Sequence, residues 1–194
     1  MLCRLLITVT MLLVMAATSH AVMIINIYED KGKVFADASG ALDVSGLRPA
    51  GSRTFNSASI RPLGALFITG PVDGNIYADF TSAPLSYGTE FTTHFDNAST
   101  NDFDFALTNG YLTIDSGYAG EVFDFSGSFK SSSLASLGLD VGTYNWEWSS
   151  DSIQMNITLT PPVEPNPTPE PATLILLGSG LAGLAATRKK ANKA

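Results

Sequence analysis

Two histidines, His20 and His94, and one cysteine, Cys3, are the whole supply of imidazole and thiol in this chain. Cys3 and His20 both fall in an N-terminal segment read below as a leader to be removed, which leaves His94 as the only base of its kind. A serine nucleophile would depend on that histidine, and no Gly-x-Ser-x-Gly elbow is present to offer one. Zinc needs several His or Cys ligands, and the remainder has no such set. No catalytic residue and no metal ligand is therefore assigned. Carboxylates are more numerous. Any two of Asp79, Glu90, Asp102, Asp104 and Asp124 would serve a glycosidase at the right separation, but scattered surface acids are the commoner meaning of such a set.

Oxygen donors concentrate in one stretch, Asp96, Asn97, Asn101, Asp102 and Asp104. Calcium takes 6 to 8 oxygens in flexible geometry, so this is where a calcium ion would bind if the protein held one. The spacing fits no EF-hand loop, and a solvated acidic loop is the expected reading, with no cofactor assigned. Aromatic residues in or beside predicted loops, Tyr87, Phe91, Tyr111 and Tyr118, offer faces on which a sugar could stack. With the nearby Asn and Asp residues, Tyr87 and Phe91 define a candidate ligand loop over 81–102. Tyr144, Trp146 and Trp148 are excluded from that role, because their strict alternation marks them as core.

The elements that must carry these residues are strands. Met23 to Tyr28 is a dense β-branched run, and Val34, Ala36, Ala38, Leu42 and Val44 alternate after it with Gly40 as an interruption. Lys31-Gly32-Lys33 joins the two as a hairpin turn. A loop is expected from Gly46 to Asn56, then strands at Ala65 to Thr69 and Asn75 to Phe80, with Gly70-Pro71 and Asp73-Gly74 as turns. The stretch from Thr81 to Asp102 reads as a long loop, where binding tends to reside. Strands at Phe103 to Leu107 and Tyr111 to Ile114 flank Asn109-Gly110, a strong hairpin signal. Val122 to Lys130 alternates Phe123, Phe125, Gly127 and Phe129 on one side. A short helix is expected over Ser131 to Leu139. Finally Tyr144, Trp146 and Trp148 pair with Ile153, Met155, Ile157 and Leu159 across a second turn. About ten short strands with Gly-rich turns predict an all-β fold, an antiparallel β-sandwich of the jelly-roll or immunoglobulin-like sort.

The formal net charge is −7, and it is unevenly spread. From Pro62 to Thr168 only Lys130 opposes thirteen acidic residues. Such a body repels phosphate backbones, which excludes nucleic acid as a partner. Without Cys3 the exported part has no disulfide, so a domain over 22–160 must be held by its core alone.

The two ends of the chain carry addresses. Arg4, the apolar run Leu5 to Ala17 and the small residues of Ser19-His20-Ala21 form a signal peptide over 1–21, with cleavage expected after Ala21. From Pro161 to Pro171 alternating prolines predict a polyproline II spacer of about 3.1 Å per residue. Ala172 to Thr187 follows as an apolar segment of roughly 16 residues, about 24 Å as a helix against about 30 Å of hydrocarbon. A span this short can cross by thinning the bilayer, and Arg188, Lys189 and Lys190 in the tail 188–194 keep its end in the cytoplasm.

Pro169-Glu170-Pro171, that apolar run and those three cations together resemble the sorting signal of PEP-CTERM proteins, exported proteins of Gram-negative bacteria. The resemblance implies transient anchoring in the inner membrane, processing by an exosortase-type enzyme and delivery to the cell surface or an extracellular polysaccharide matrix. The body is also similar to a set of these proteins in Ala135-Ser136-Leu137-Gly138-Leu139, Gly142-Thr143-Tyr144 and the paired tryptophans. That second likeness concerns packing and implies no activity. The expectation is an exported, non-enzymatic surface or biofilm-matrix protein, with a carbohydrate-binding module as the alternative and a carbohydrate-active hydrolase behind it.

Overall fold

The computed structural model describes residues 22–163. The expected signal peptide over 1–21, the sorting tripeptide, the expected membrane segment 172–187 and the basic tail lie outside the described residues. The chain divides after Pro162 into two units, and the first contains the β domain.

Strands β1 (Met23–Asp30) and β2 (Lys33–Gly40) form the expected hairpin. Lys31 and Gly32 both have positive φ, 48° and 72°, the twist that a two-residue hairpin favours. Met23, Ile25, Ile27, Val34, Ala36 and Ala38 point into the core as their period of two requires. The strand stops earlier than the alternation suggests. Gly40 has φ 142°, and a Cβ there would lie 2.6 Å from Met23 Cα, so the backbone turns away at this glycine. Leu42 stays buried, but Val44 moves into a 3-10 turn, Val44–Gly46, where the Asp43 carboxylate accepts from the Ser45 amide at 2.9 Å.

The segment expected to be a loop after Gly46 is instead a strand, β3 (Arg48–Thr54), paired with β6 (Asp73–Ala78). All of β3 is exposed. Its sequence therefore shows no apolar alternation; at the sheet edge the ladder is joined by side-chain contacts, Arg48 to Asp79 at 2.7 Å and Thr54 to Asp73 at 2.8 Å, and Pro49 beside a bulge is tolerated there. Asp73-Gly74 opens β6 rather than making a turn. Between them run β4 (Ser59–Arg61) and β5 (Leu66–Ile68), each three residues long. The irregular stretch 81–102 also gains strands, β7 (Thr93–His94) and β8 (Asn97–Thr100). Next come β9 (Phe105–Leu107), β10 (Tyr111–Asp115) and β11 (Phe123–Phe129), as the Asn109-Gly110 turn and the phenylalanine series predict. No helix forms over Ser131 to Leu139. One backbone turn, Leu137 N to Ser133 O at 3.1 Å, is capped at its start by Ser133 and Ser136, whose hydroxyls accept from each other's amides, and is ended by Gly138 with φ 62°. The chain closes with β12 (Gly142–Glu147) and β13 (Ser152–Thr158), in the register Tyr144 to Met155 and Trp146 to Ile153. Leu159 falls beyond β13 and is exposed.

The fold is all-β, with two sheets. One runs β12-β13-β1-β2-β11-β8 and the other β3-β6-β10-β9-β5-β4-β7. Every strand pair but one is antiparallel. The exception, β1 beside β13, is parallel; parallel neighbours need a long crossover, and here the whole domain between the first and last strands provides it. The inward residues of both sheets form a single apolar cluster. Phe67 of β5 meets Phe125 of β11 edge-on at 5.5 Å, and Phe105 of β9 meets Phe123 of β11 at 5.2 Å. Such ring pairs contribute about 0.5–1.5 kcal/mol beyond their burial.

Candidate functional site

The predicted ligand loop does not present its residues together. Tyr87 is 1% exposed. Its hydroxyl donates to the Leu66 carbonyl, its ring packs against Tyr144 at 6.0 Å, and burial pushes its pKa far up. The flanking backbone is fastened at Tyr87 N to Pro62 O (3.0 Å), Thr89 N to Gly138 O (2.9 Å) and Asp140 N to Tyr87 O (3.0 Å). Tyr87 is therefore a core anchor, and no ligand can stack on it. Phe91, in contrast, is 72% exposed.

The oxygen donors also have separate tasks. Asp96 accepts from the Lys130 amide at 2.6 Å. Asn97 donates to the Ser128 hydroxyl at 3.3 Å. Asn101 clamps β11, donating to Val122 O at 2.7 Å and accepting from Asp124 N at 3.2 Å. Asp102 is exposed. These bonds add to the ladder by which β8 is tied to β11. Among the described residues no group of three or more His, Cys, Asp or Glu side chains stands close enough to hold a metal.

Asp104 differs from the others. It is half-buried and lines an open cleft of about 390 Å³ with Thr69, Gly70, Pro71, Phe95 and Thr100. The Thr69 hydroxyl donates to Asp104 Oδ1 at 2.8 Å and accepts from the Phe105 amide at 2.9 Å. The Asp104 backbone is fixed as well, since its amide donates to Asp115 Oδ2 at 2.8 Å. Burial raises the pKa of the Asp104 carboxyl, aided by the charge of Asp115, against the lowering effect of hydroxyl bonds from Thr69 and Thr100. Gly70 makes the arrangement possible, because a Cβ there would lie 2.4–2.5 Å from the carboxylate atoms.

The same cleft is lined by Ser57, His94 and Ser99. Ser57 Oγ and His94 Nδ1 are 3.1 Å apart. Among the described residues no carboxylate bonds to the His94 ring, so the pair lacks the orienting third group of a hydrolytic triad. The chain reaches this place by crossing sheets: β7 pairs with β4 on one layer and β8 with β11 on the other. The link between them carries Phe95, whose ring stacks on Phe129 at 4.3 Å. Sequence reasoning found Asp104 but missed Ser57, Thr69 and Gly70, which are distant in the chain. The one available signal was Gly70-Pro71 placed directly after an apolar run.

A second feature lies on the outer face of the six-stranded sheet. Thr143, Asn156, Asn26, Asp37, Ser126 and Ser99 stand in one transverse row, one from each strand. Asn156 is its hub, accepting from Thr143 at 3.1 Å and Gln154 at 2.9 Å and donating to Asn26 at 3.2 Å.

Comparison with known proteins bears on the other end of the chain. Residues 167–190 match the family model of the PEP-CTERM protein-sorting motif. The match takes in Pro169, Glu170, Pro171, Arg188, Lys189 and Lys190. Nothing among curated proteins or solved structures matches the chain. The sorting motif marks an exported protein that is anchored transiently through its C-terminus and processed by an exosortase.

Proposed function

We propose that this is a non-enzymatic protein of the cell surface or extracellular matrix, in which a β-sandwich is delivered outside by its C-terminal signal. The observation that carries this reading is the sorting motif over 167–190. The described domain suits such a destination, since it is held by a large apolar core and has no thiol to oxidise. In this reading residues 172–187 insert as a short helix, Arg188 to Lys190 stop them at the cytoplasmic face, and the Pro-rich segment keeps Pro169-Glu170-Pro171 accessible. No cofactor or catalytic residue is assigned. Replacing Pro169, Glu170 and Pro171 by alanine tests the route: the chain should stay unprocessed in the membrane, and normal release of that variant would refute it.

A second reading, binding of an extracellular polysaccharide, is favoured by the cleft with its several hydroxyls. Hydrolysis is less well supported. A glycosidase needs two carboxyls about 5–5.5 Å apart, or about 6.5–9.5 Å when inverting, and Asp104 is the only carboxylate among the residues lining the cleft.

A further inference from the structure

We propose that the cleft at Asp104 is a subsite for one uncharged sugar residue, held by two neighbouring hydroxyls on the Asp104 carboxylate with its C–H face against Phe95 and Pro71. This rests on the polysaccharide-binding reading and moves the ligand from Tyr87 and Phe91 to the junction of the sheets.

Size, valence and charge each favour that ligand. A volume of about 390 Å³ lies at the small end of ligand sites, which span about 300–1,000 Å³. One ring fills it, and the rest of a glycan can leave through the open side. An ionised carboxylate has about four lone-pair sites. The Thr69 and Thr100 hydroxyls use two of them, leaving two acceptors in one plane, which suits adjacent sugar hydroxyls. Ser57 and His94 add groups that donate or accept. One face of Phe95 is taken by Phe129, and the ring still lines the cleft, where it and Pro71 provide apolar surface. No Lys or Arg lines the cleft among the described residues. A phosphate or uronate would therefore meet a carboxylate with no cation to offset it. Calcium is disfavoured as the occupant, since Asp104 is the one carboxylate among the described residues that line the cleft.

The geometry is set before any ligand arrives. Asp104 is fixed through its backbone by Asp115 and through its side chain by Thr69, and Gly70 leaves the space the carboxylate occupies. Binding then costs little ordering of the protein.

Calorimetric titration of the full chain tests the site, using neutral hexasaccharides of glucose, mannose and galactose, with a galacturonate hexasaccharide for comparison. At least one neutral probe should bind and the uronate should not. Asp104→Asn and Gly70→Ala should each weaken binding about tenfold or more, the loss expected for a charged hydrogen-bond partner. Thermal melts accompany the titrations, and Asp104→Asn should melt no lower than the parent at neutral pH, so that lost binding is distinguished from lost folding. Neutral binding that both variants retain overturns the subsite and leaves polysaccharide binding standing. No binding of any neutral probe overturns both. Preference for the uronate, or binding abolished by calcium chelation, overturns the ligand class.

Discussion

The indole Nε1 of Trp146, on β12 of one sheet, donates a buried hydrogen bond of 2.7 Å to the carbonyl of Thr108, which begins the hairpin loop of the other. Thr108 in turn closes that loop: its hydroxyl accepts from the Tyr111 amide at 3.0 Å, and its own amide donates to Tyr111 O at 2.9 Å. Trp146 thus fixes the Asn109-Gly110 turn from across the core as well as filling space.

Trp146→Phe should cost more than the lost volume alone implies. The smaller ring leaves a void, and the Thr108 carbonyl loses its buried donor. Together these predict a loss of about 2–4 kcal/mol, read as a lower midpoint in urea with an unchanged slope. A loss below about 1 kcal/mol would show that the bond is dispensable.

Gly88→Ala should release the segment that holds Tyr87. A Cβ at Gly88 would lie 1.8 Å from the Gly138 carbonyl oxygen, and a backbone atom cannot step aside as a side chain can. Faster amide exchange at Tyr87 and Thr89, with a melting temperature lowered by several degrees, is the expected result. Unchanged protection at both would contradict the pinned arrangement.

Thr113→Val should be neutral or stabilising. The Thr113 hydroxyl is buried without a hydrogen-bond partner among the described residues. Valine has nearly the same shape, and removing an unsatisfied buried polar atom recovers its desolvation penalty. A destabilisation of more than about 1 kcal/mol on thermal unfolding would reveal a partner for that oxygen.

Asp104 predicts a pH dependence with a definite sign. Its folded pKa is raised, so in the window between the unfolded and folded values the folded state binds more protons. Its contribution is full below the unfolded pKa and is lost as pH rises through the folded one. Asp104→Asn removes this loss. The melting temperature of the variant relative to the parent should therefore be higher at about pH 7 than at about pH 3. A difference independent of pH would contradict the raised pKa.

The parts of this fold that bury one face were legible in the sequence. The β1–β2 hairpin, the phenylalanines of β11 and the Trp146 to Ile153 register all follow from a period of two, because only inward residues must be apolar. What escaped lacks that contrast. Strand β3 is exposed on both faces, β4 and β7 are too short to show a period, and β8 is polar except at Ala98. The cleft escaped for a different reason: Ser57, Thr69, His94 and Asp104 meet only because β7 and β8 enter opposite sheets. Tyr87 shows the converse. A tyrosine among turn formers reads as exposed, yet pairing of its backbone with 138–140 turns the ring inward.

The central claim concerns the fate of the whole chain, and intact mass with cell fractionation tests it most directly, in cells with and without the exosortase. With the enzyme, the exported product should have lost its C-terminal segment near Pro169-Glu170-Pro171. Without it, the chain should keep residues 172–194 and remain with the membrane. The same mass and the same location in both would contradict the account.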